Sequence, residues 1–341
     1  RKAGKNYRGL CPFHSEKTPS FFVFPETQSW HCFGACHTGG DVFSFVMKMR
    51  GIDFVQALQL LAERAGVELS SYSDEDRKRH AESRRRSEVM ATALKVFRQA
   101  MGGPGRDALE YMKARGFERE TLLDWAIGFI PEDFTNQLRQ AGLESRDIDA
   151  AGFTRQFAGR LGFGIRDAYG TIVGFGARRL NDEENSPKYV NTRETATFSK
   201  ARLLYGLDKA SAALGRTGRL VVMEGYTDVM MAHQQGLDDA VATMGTSFTA
   251  QHLELVKSRV SNLVLVFDGD EAGLRAGERA VRMLLEAGRE CRALLLPEGT
   301  DPGDWFTTHG RDDFETFLEA EGLSTVRFLC RRGLSQLDKN Q

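Results

Sequence analysis

Hydrophobic and polar residues alternate along this chain in three successive rhythms. Between Phe13 and Phe33 aromatic residues recur at short intervals among polar ones, the pattern of a small β-ribbon. The stretch "GGDVFSFVMKMRG" then shifts to a helical period, with Asp41 placed to cap the helix and Gly51 to end it. A second helix follows from Asp53, with Phe54, Leu58, Leu61 and Ala65 on one face and Gly66 as its stop. Polar residues take over in "SSYSDEDRKRHAESRRRS", residues 70–87, which carries one aromatic and no aliphatic residue beyond a single Ala. That stretch cannot bury a core and reads as a solvated linker or an exposed helix. From Glu88 onward the chain has no long-period repeat and reads as a mixed α/β body.

The segment Arg219 to Phe306 alternates most regularly. "RLVVME" is an apolar strand ending in Glu224, "GYTDVMMAHQQG" a turn and helix, and "DAVATMGTS" a second strand. "TAQHLELVKSRV" is helical, "LVLVFDGD" is a strand, a helix spans Glu271 to Ala287, and "CRALLLP" is the final strand. Such alternation demands a parallel sheet with right-handed crossovers, whose ligands sit outside the carboxyl ends of the strands.

Composition adds exclusions. Forty-six basic and forty-seven acidic residues in 341 nearly cancel, so net charge does not announce a nucleic-acid partner and local patches must. The sequence has no secretory leader and no apolar run long enough to span a bilayer, which predicts a soluble, intracellular protein. Five cysteines in such a protein favour free thiols or a metal site over disulfides. The first residue is Arg1 rather than Met, so a fragment is expected.

Four of the candidate ligands fall in two knuckles, Cys11-x2-His14 and Cys32-x3-Cys36, about one β-hairpin apart. Three thiolates and one imidazole fill a tetrahedral Zn²⁺ shell and leave no open position, so this zinc would be structural. His31 and His37 flank the second knuckle and compete with His14 as fourth ligand. Phe21, Phe22, Phe24 and Trp30 lie between the knuckles with Lys17, Thr18 and Ser20. Most of these rings are expected in the core, leaving Lys17 and one ring for single-stranded nucleic acid, with Arg1, Lys2, Lys5 and Arg8 nearby.

Glu224, Asp268 and Asp270 all fall at strand exits, and Asp301 and Asp304 in "GTDPGDW" would reach the same crevice. Asp at such a position is also a common turn former, and Asp270 could simply cap the helix after it. Acids from separate segments converging on one rim are costly without a cation between them. Mg²⁺ or Mn²⁺ suits oxygen ligands, and two such ions would clamp a phosphoryl transfer.

"EGYTD" followed forty residues on by "DGD" resembles the toprim signature of bacterial primases, several topoisomerases, small nucleases and recombination mediators. With the Cys-His-Cys-Cys ribbon ahead of it, the chain resembles the bacterial replicative primase family, the DnaG type. "YRGLCPFHSEKTPSF" and "GGDVFSFVM" are similar to that family's zinc domain. "GFGARRL", "SPKYVNTRET" and "FSKARLLYGLDKA" are similar to the amino-terminal half of its polymerase core. Two departures stand out: the second knuckle is one residue longer than the usual Cys-x2-Cys, and "GRLGFGIRD" carries Gly164 where the family usually has Pro.

The resemblance implies an α/β fold: a toprim-type parallel sheet within a mixed α+β polymerase core, preceded by a small zinc-ribbon domain. The expected divisions are a zinc domain over 1–69, truncated at its start, and a linker over 70–88. A basic-groove subdomain would cover 89–218, the catalytic toprim subdomain 219–308, and the start of a helical subdomain 309–341. Glu224, Asp268 and Asp270 become the catalytic metal-binding acids, with Asp228, Asp301 and Asp304 as auxiliaries. Arg178, Lys188, Tyr189, Asn191 and Lys200 are assigned to the groove that tracks template and product. The residues of "PKYVN" read the same way unaided, Lys188 supplying charge, Tyr189 a ring and Asn191 a neutral donor.

Other positions are weaker. Arg202 joins the groove, while Leu203, Leu204, Leu207 and Ala210 repeat helically and make Tyr205 a packing residue. Met223, Met230, Met231 and Met244 read as core, His233 and His252 as surface or satisfied histidines, Cys291 and Cys330 as inert thiols. The implied activity is synthesis of short RNA primers on single-stranded DNA from ribonucleoside triphosphates, in the bacterial cytoplasm at the replication fork. Asp268, Asp270 and Asp304 would hold one ion at the triphosphate, and Glu224 would share a second or act as general base. The replicative helicase would be met through a carboxy-terminal domain absent from this chain. A toprim nuclease or topoisomerase, or a non-catalytic single-strand-binding scaffold, are the rival readings.

Overall fold

The computed structural model describes residues 1–67, 74–181, 186–195, 198–245 and 247–338. The chain divides into two compact units, Arg1–Ala81 and Glu82–Gln341. Among the described residues no helix is long and apolar enough to cross a membrane.

The first unit is an antiparallel ribbon whose strands pair in chain order: β1 (Lys2–Ala3), β2 (Asn6–Gly9), β3 (Phe21–Phe24), β4 (Ser29–Cys32) and β5 (Gly39–Asp41). The register Phe21↔Cys32 and Phe22↔His31 sorts the aromatics between two faces, because side chains alternate along a strand. Phe21, Trp30, Cys11 and Cys32 are buried with Phe13 and Phe45 against them. Phe22, Phe24 and the 43% exposed Phe33 gather on the other face, where the Arg8 guanidinium lies 5.4 Å from the Phe22 ring. The expected division therefore shifts: two of the four rings between the knuckles are core and two are not.

Both short helices end as their sequences dictate. Asp41 accepts the Ser44 amide at 2.8 Å, Asp53 and Gln56 form a reciprocal capping box, and Gly51 and Gly66 close the helices at φ 64° and 65°. The buried line of Phe54–Ala65 differs from the expected one. Ala57 and Ala62 are buried, Leu58 and Leu61 half-buried, and Phe54 is 47% exposed, its ring meeting Phe43 at the rim. Of the 70–88 segment, residues 70–73 lie outside the described residues, and from Asp74 the chain is helical to Ala100. Val89, Met90, Ala93, Val96 and Phe97 bury one stripe of that helix at three- and four-residue spacing.

Among the described residues the second unit holds two sheets. An antiparallel meander runs β6 (Ile127–Ile130), β7 (Arg160–Arg166), β8 (Ile172–Arg178) and β9 (Tyr189–Asn191). In β7, the Gly164 amide donates to the Ala126 carbonyl at 3.1 Å, a bond that a proline at this position could not make. The other sheet comprises β10 (Arg219–Met223), β11 (Ala240–Ala242), β12 (Asn262–Phe267), β13 (Arg292–Leu295) and β14 (Leu323–Ser324), in the order β11-β10-β12-β13-β14. Its first four strands are parallel, with helices Tyr226–Gln234, Ala250–Val256 and Glu271–Glu286 in the crossovers. "CRALLLP" is not the last strand: two residues of β14 pair antiparallel with β13 and cover that edge.

The helix expected across Leu203 to Ala210 begins only at Leu207. Tyr205 exchanges both backbone hydrogen bonds with Ala242, at 2.9 and 3.0 Å, so the preceding residues are drawn straight along the sheet edge, and Gly206 turns the chain at φ 84°. Tyr205 itself is a packing residue, 1% exposed. The four methionines are buried in the core, and His233 and His252 are interior, hydrogen-bonded residues rather than surface ones. Cys291 is buried and takes part in bonds to Thr325, while Cys330 is exposed.

Candidate functional site

The carboxyl ends of β10 and β12 lie side by side, with Val222 opposite Leu265, so Glu224 and Asp268 leave the sheet as neighbours. Gly269 is required next. A Cβ there would stand 1.9 Å from the Pro297 carbonyl oxygen, an approach no side chain permits. Its amide donates to Thr300 at 3.2 Å, which draws the loop carrying Asp301 up to Asp268. Asp270 does cap the helix Glu271–Glu286, its Oδ1 accepting the Gly273 amide at 2.7 Å. Asp301 likewise caps Pro302–Thr308 through the Asp304 amide at 2.7 Å. Asp228, only 6% exposed, accepts the Gly225 amide at 2.9 Å. Asp228 and Asp301 face each other across Gly303, whose Cβ would lie 3.1 and 3.2 Å from their Oδ1 atoms.

Burial and mutual repulsion show in the titration of these groups. Glu224 is pushed up to about 7 by burial, then by the charges of Asp268 and Asp270. Asp228 is pushed to about 7 by burial and by Asp301 and Asp268, and Asp268 to about 6 by burial, Asp301 and Asp270. Two buried oxygens, Glu224 Oε1 and Asp268 Oδ1, have no hydrogen-bond partner among the described residues. A buried, unpartnered carboxylate oxygen costs about 1–3 kcal/mol or more, and a cation removes that cost.

Among the described residues three cations border the rim. Lys188 faces Asp268 and Arg279 faces Glu224, each favouring the ionised acid. Arg115 reaches Asp304 at 3.3 Å and Asp301 at 3.9 Å, with Tyr111 accepting a hydrogen bond from its other end. Sequence reading found Lys188 and missed the two arginines. Arg279 carries a faint signal, one face of the helix that Asp270 caps; Arg115 carries none, being 189 residues from Asp304. The acids converge on one rim without closing into a cage. Among the described residues only the Cys/His group has its ligand atoms all within 4.8 Å of one another. Like charges stand apart, and an open rim suits a hard cation that keeps several waters and uses one or two carboxylates.

The residues expected to line a groove are less free than their types implied. Arg178 sits between the rings of Tyr111 and Tyr189 at 4.9 and 5.5 Å, and donates to the Tyr189 hydroxyl at 2.9 Å. Tyr189 packs on Phe163 and Tyr226, so its ring belongs to the wall, and burial raises its hydroxyl. The Asn191 carbonyl accepts from Tyr226 and its amide points to the Met244 carbonyl at 3.5 Å. Lys188 and Arg202 are exposed and Lys200 half-buried at the short 3-10 turn Lys200–Arg202.

In the first unit Cys11, His14, Cys32 and Cys36 form one group. Cys11 and Cys36 sulfurs are 3.6 Å apart, and Cys32 Sγ is 3.8 Å from His14 Nδ1. A tetrahedral shell with metal–sulfur bonds of about 2.3 Å sets ligand atoms about 3.8 Å apart, so the longer second knuckle still closes. His14, not His31 or His37, completes the set. The amides of Phe13 and Gly34 donate to Cys11 and Cys32 sulfurs at 3.4 and 3.3 Å. Sequence reading missed Glu16, whose carboxylate lies 3.1 Å from His14 Nε2 and accepts the Cys11 amide at 2.7 Å. Glu16 thus fixes the ring with Nδ1 toward the sulfurs. Lys17, beside it, is exposed.

Comparisons with known proteins agree along the chain. Residues 1–77 match the family described as CHC2 zinc finger, 96–211 the DNA primase catalytic core, N-terminal domain, and 221–306 a Toprim-like domain. A curated DNA primase of Deinococcus radiodurans is 43% identical over 96% of this chain and 58% of its own length, so the chain spans little more than half of that relative. The solved primase of Aquifex aeolicus, comprising zinc-binding and RNA polymerase domains, is 29% identical over 99% of this chain and 84% of its own, with a TM-score of 0.66. A DnaG primase catalytic domain bound to single-stranded DNA is 32% identical over 75% of this chain and 84% of its own, with a TM-score of 0.68.

Proposed function

The chain belongs to the bacterial DnaG-type primase family, and from that premise we propose that it carries the primer-synthesising centre, making short RNA on a single-stranded DNA template from ribonucleoside triphosphates. The observation that supports this most is the pair of buried, unpartnered oxygens of Glu224 and Asp268 at adjacent strand ends. A nucleotidyl transfer needs positive charge where the attacking and leaving oxygens meet, and Mg²⁺ or Mn²⁺ bound at this rim would supply it.

The residues present fit that task. Asp268 and Asp270 offer oxygens beside the triphosphate position, with Asp304 from the first turn of the helix Pro302–Thr308, while Asp228 and Asp301 hold the floor. Glu224, titrating near neutrality, is suited to hold or receive the proton of the primer's 3′-hydroxyl. Arg178, Tyr189 and Asn191 build the groove wall, and Lys188, Lys200 and Arg202 meet the phosphates of template and product. In the first unit Cys11, His14, Cys32 and Cys36 would hold one structural Zn²⁺, and Lys17 with the outer aromatic face of the ribbon would touch the template.

The domain divisions fit this reading: a zinc domain over 1–69, a linker over 70–88, the groove subdomain over 89–218, the catalytic subdomain over 219–308 and a helical subdomain beginning at 309. The setting that goes with this reading is the bacterial cytoplasm at the replication fork, with the replicative helicase as a partner. Single-stranded template, labelled ribonucleotides and Mg²⁺ test the proposal. Short RNA from the parent protein and none from Asp268→Asn is expected. Cleaved template without RNA would make the protein a nuclease, and bound but unchanged template would make it a scaffold.

A further inference from the structure

His252 is fully buried on the crossover helix Ala250–Val256, and both its ring nitrogens are engaged. Nε2 lies 2.7 Å from the carbonyl oxygen of Lys200, which can only accept, so Nε2 carries the proton. Nδ1 is then the acceptor, 3.2 Å from both the amide and the hydroxyl of Thr249, whose hydroxyl in turn accepts the His252 amide at 3.3 Å. Burial lowers the pKa of the imidazole, consistent with a neutral ring of fixed tautomer. The same Lys200 is held on its other side, its amide donating to Glu194 at 3.0 Å. One residue of a short, half-buried turn thus has its peptide groups gripped by side chains from two separate segments.

We infer that His252 is a positioning residue for template binding: from the crossover helix Ala250–Val256 it anchors the Lys200–Arg202 turn so that the Lys200 ammonium is presented to the groove. The inference rests on the reading of Lys200 as a groove residue. A flexible lysine contributes most to phosphate binding when its backbone is already fixed, since less freedom is then lost on binding. The pinned carbonyl also links the groove wall to the sheet that carries Glu224 and Asp268.

Four variants of the whole chain, loaded with metal, test this. His252→Phe fills the space and removes the donor; His252→Gln restores a donor near the Nε2 position. Lys200→Met removes the charge, and the double variant combines it with His252→Phe. For His252→Phe, fluorescence-anisotropy titration of single-stranded DNA is expected to show about tenfold weaker binding. Its kcat at saturating template and its KM for ribonucleotides should stay within about twofold, and His252→Gln should recover most of the affinity. The double variant should bind no more weakly than Lys200→Met alone. Equal losses from His252→Phe with and without Lys200, or no loss in a folded His252→Phe, would overturn the inference while leaving the groove reading intact. Unchanged binding by Lys200→Met would instead remove the groove reading and the inference with it. Should His252→Phe fail to fold, His252→Asn, which keeps the Thr249 contact but cannot reach Lys200, carries the same expectations.

Discussion

Asp268 concentrates the electrostatic cost of the site in one side chain. Its carboxyl is pushed to about 6 and its charge helps push Glu224 and Asp228 to about 7, all above their unfolded values. Each group therefore binds its proton more tightly in the folded protein. Its stabilising contribution is complete below the unfolded pKa and is lost as pH rises through the folded one. Without divalent ions, stability should fall as pH climbs from about 4 to about 7. Asp268→Asn should flatten that fall and melt higher than the parent at the alkaline end while losing primer synthesis; a thermal melt series in divalent-free buffer reads the difference, and superimposable curves would refute it. At this scale the acids were legible because carboxylates from separate segments converging on one rim are costly without a cation, even where Asp270 and Asp301 also cap helices. Arg115 and Arg279 were not, because their meaning lies in partners that only folding brings near, whereas Glu16 was passed over although His14 stands two residues away.

Caps and glycines were the elements' most readable features. Asp41, Asp53, Asp270, Gly51 and Gly66 act where their residue types predict, since each answers a local backbone need. The failures are tertiary: Tyr205 is captured by a strand edge and shortens a helix, β14 covers an edge that its own two residues could not announce, and the Phe54 helix turns a different face inward. The zinc knuckle lies between these cases. Its three thiolates and an imidazole were readable from spacing, whereas only the fold shows that His14 rather than His31 or His37 joins the sulfurs, its ring held by Glu16. Glu16→Gln should weaken Zn²⁺ retention about 10–100-fold in a chelator competition without displacing any ligand. Retention equal to the parent's would show that the ring needs no such support.

As a whole molecule the chain keeps two donor sets apart. A closed sulfur-rich shell in the first unit suits a metal that only holds structure, and an open oxygen-rich rim in the second suits ions that exchange with substrate. The order of zinc ribbon, groove and toprim sheet was visible in the sequence because each module carries its own motif. Titration calorimetry of Mn²⁺ into the zinc-loaded protein tests the central claim about the rim most directly. Uptake with release of protons, because ligands titrating near neutrality must ionise, and loss of that uptake in Asp268→Asn are the predicted results. Absence of uptake by the parent protein, or undiminished uptake by the variant, would contradict the account.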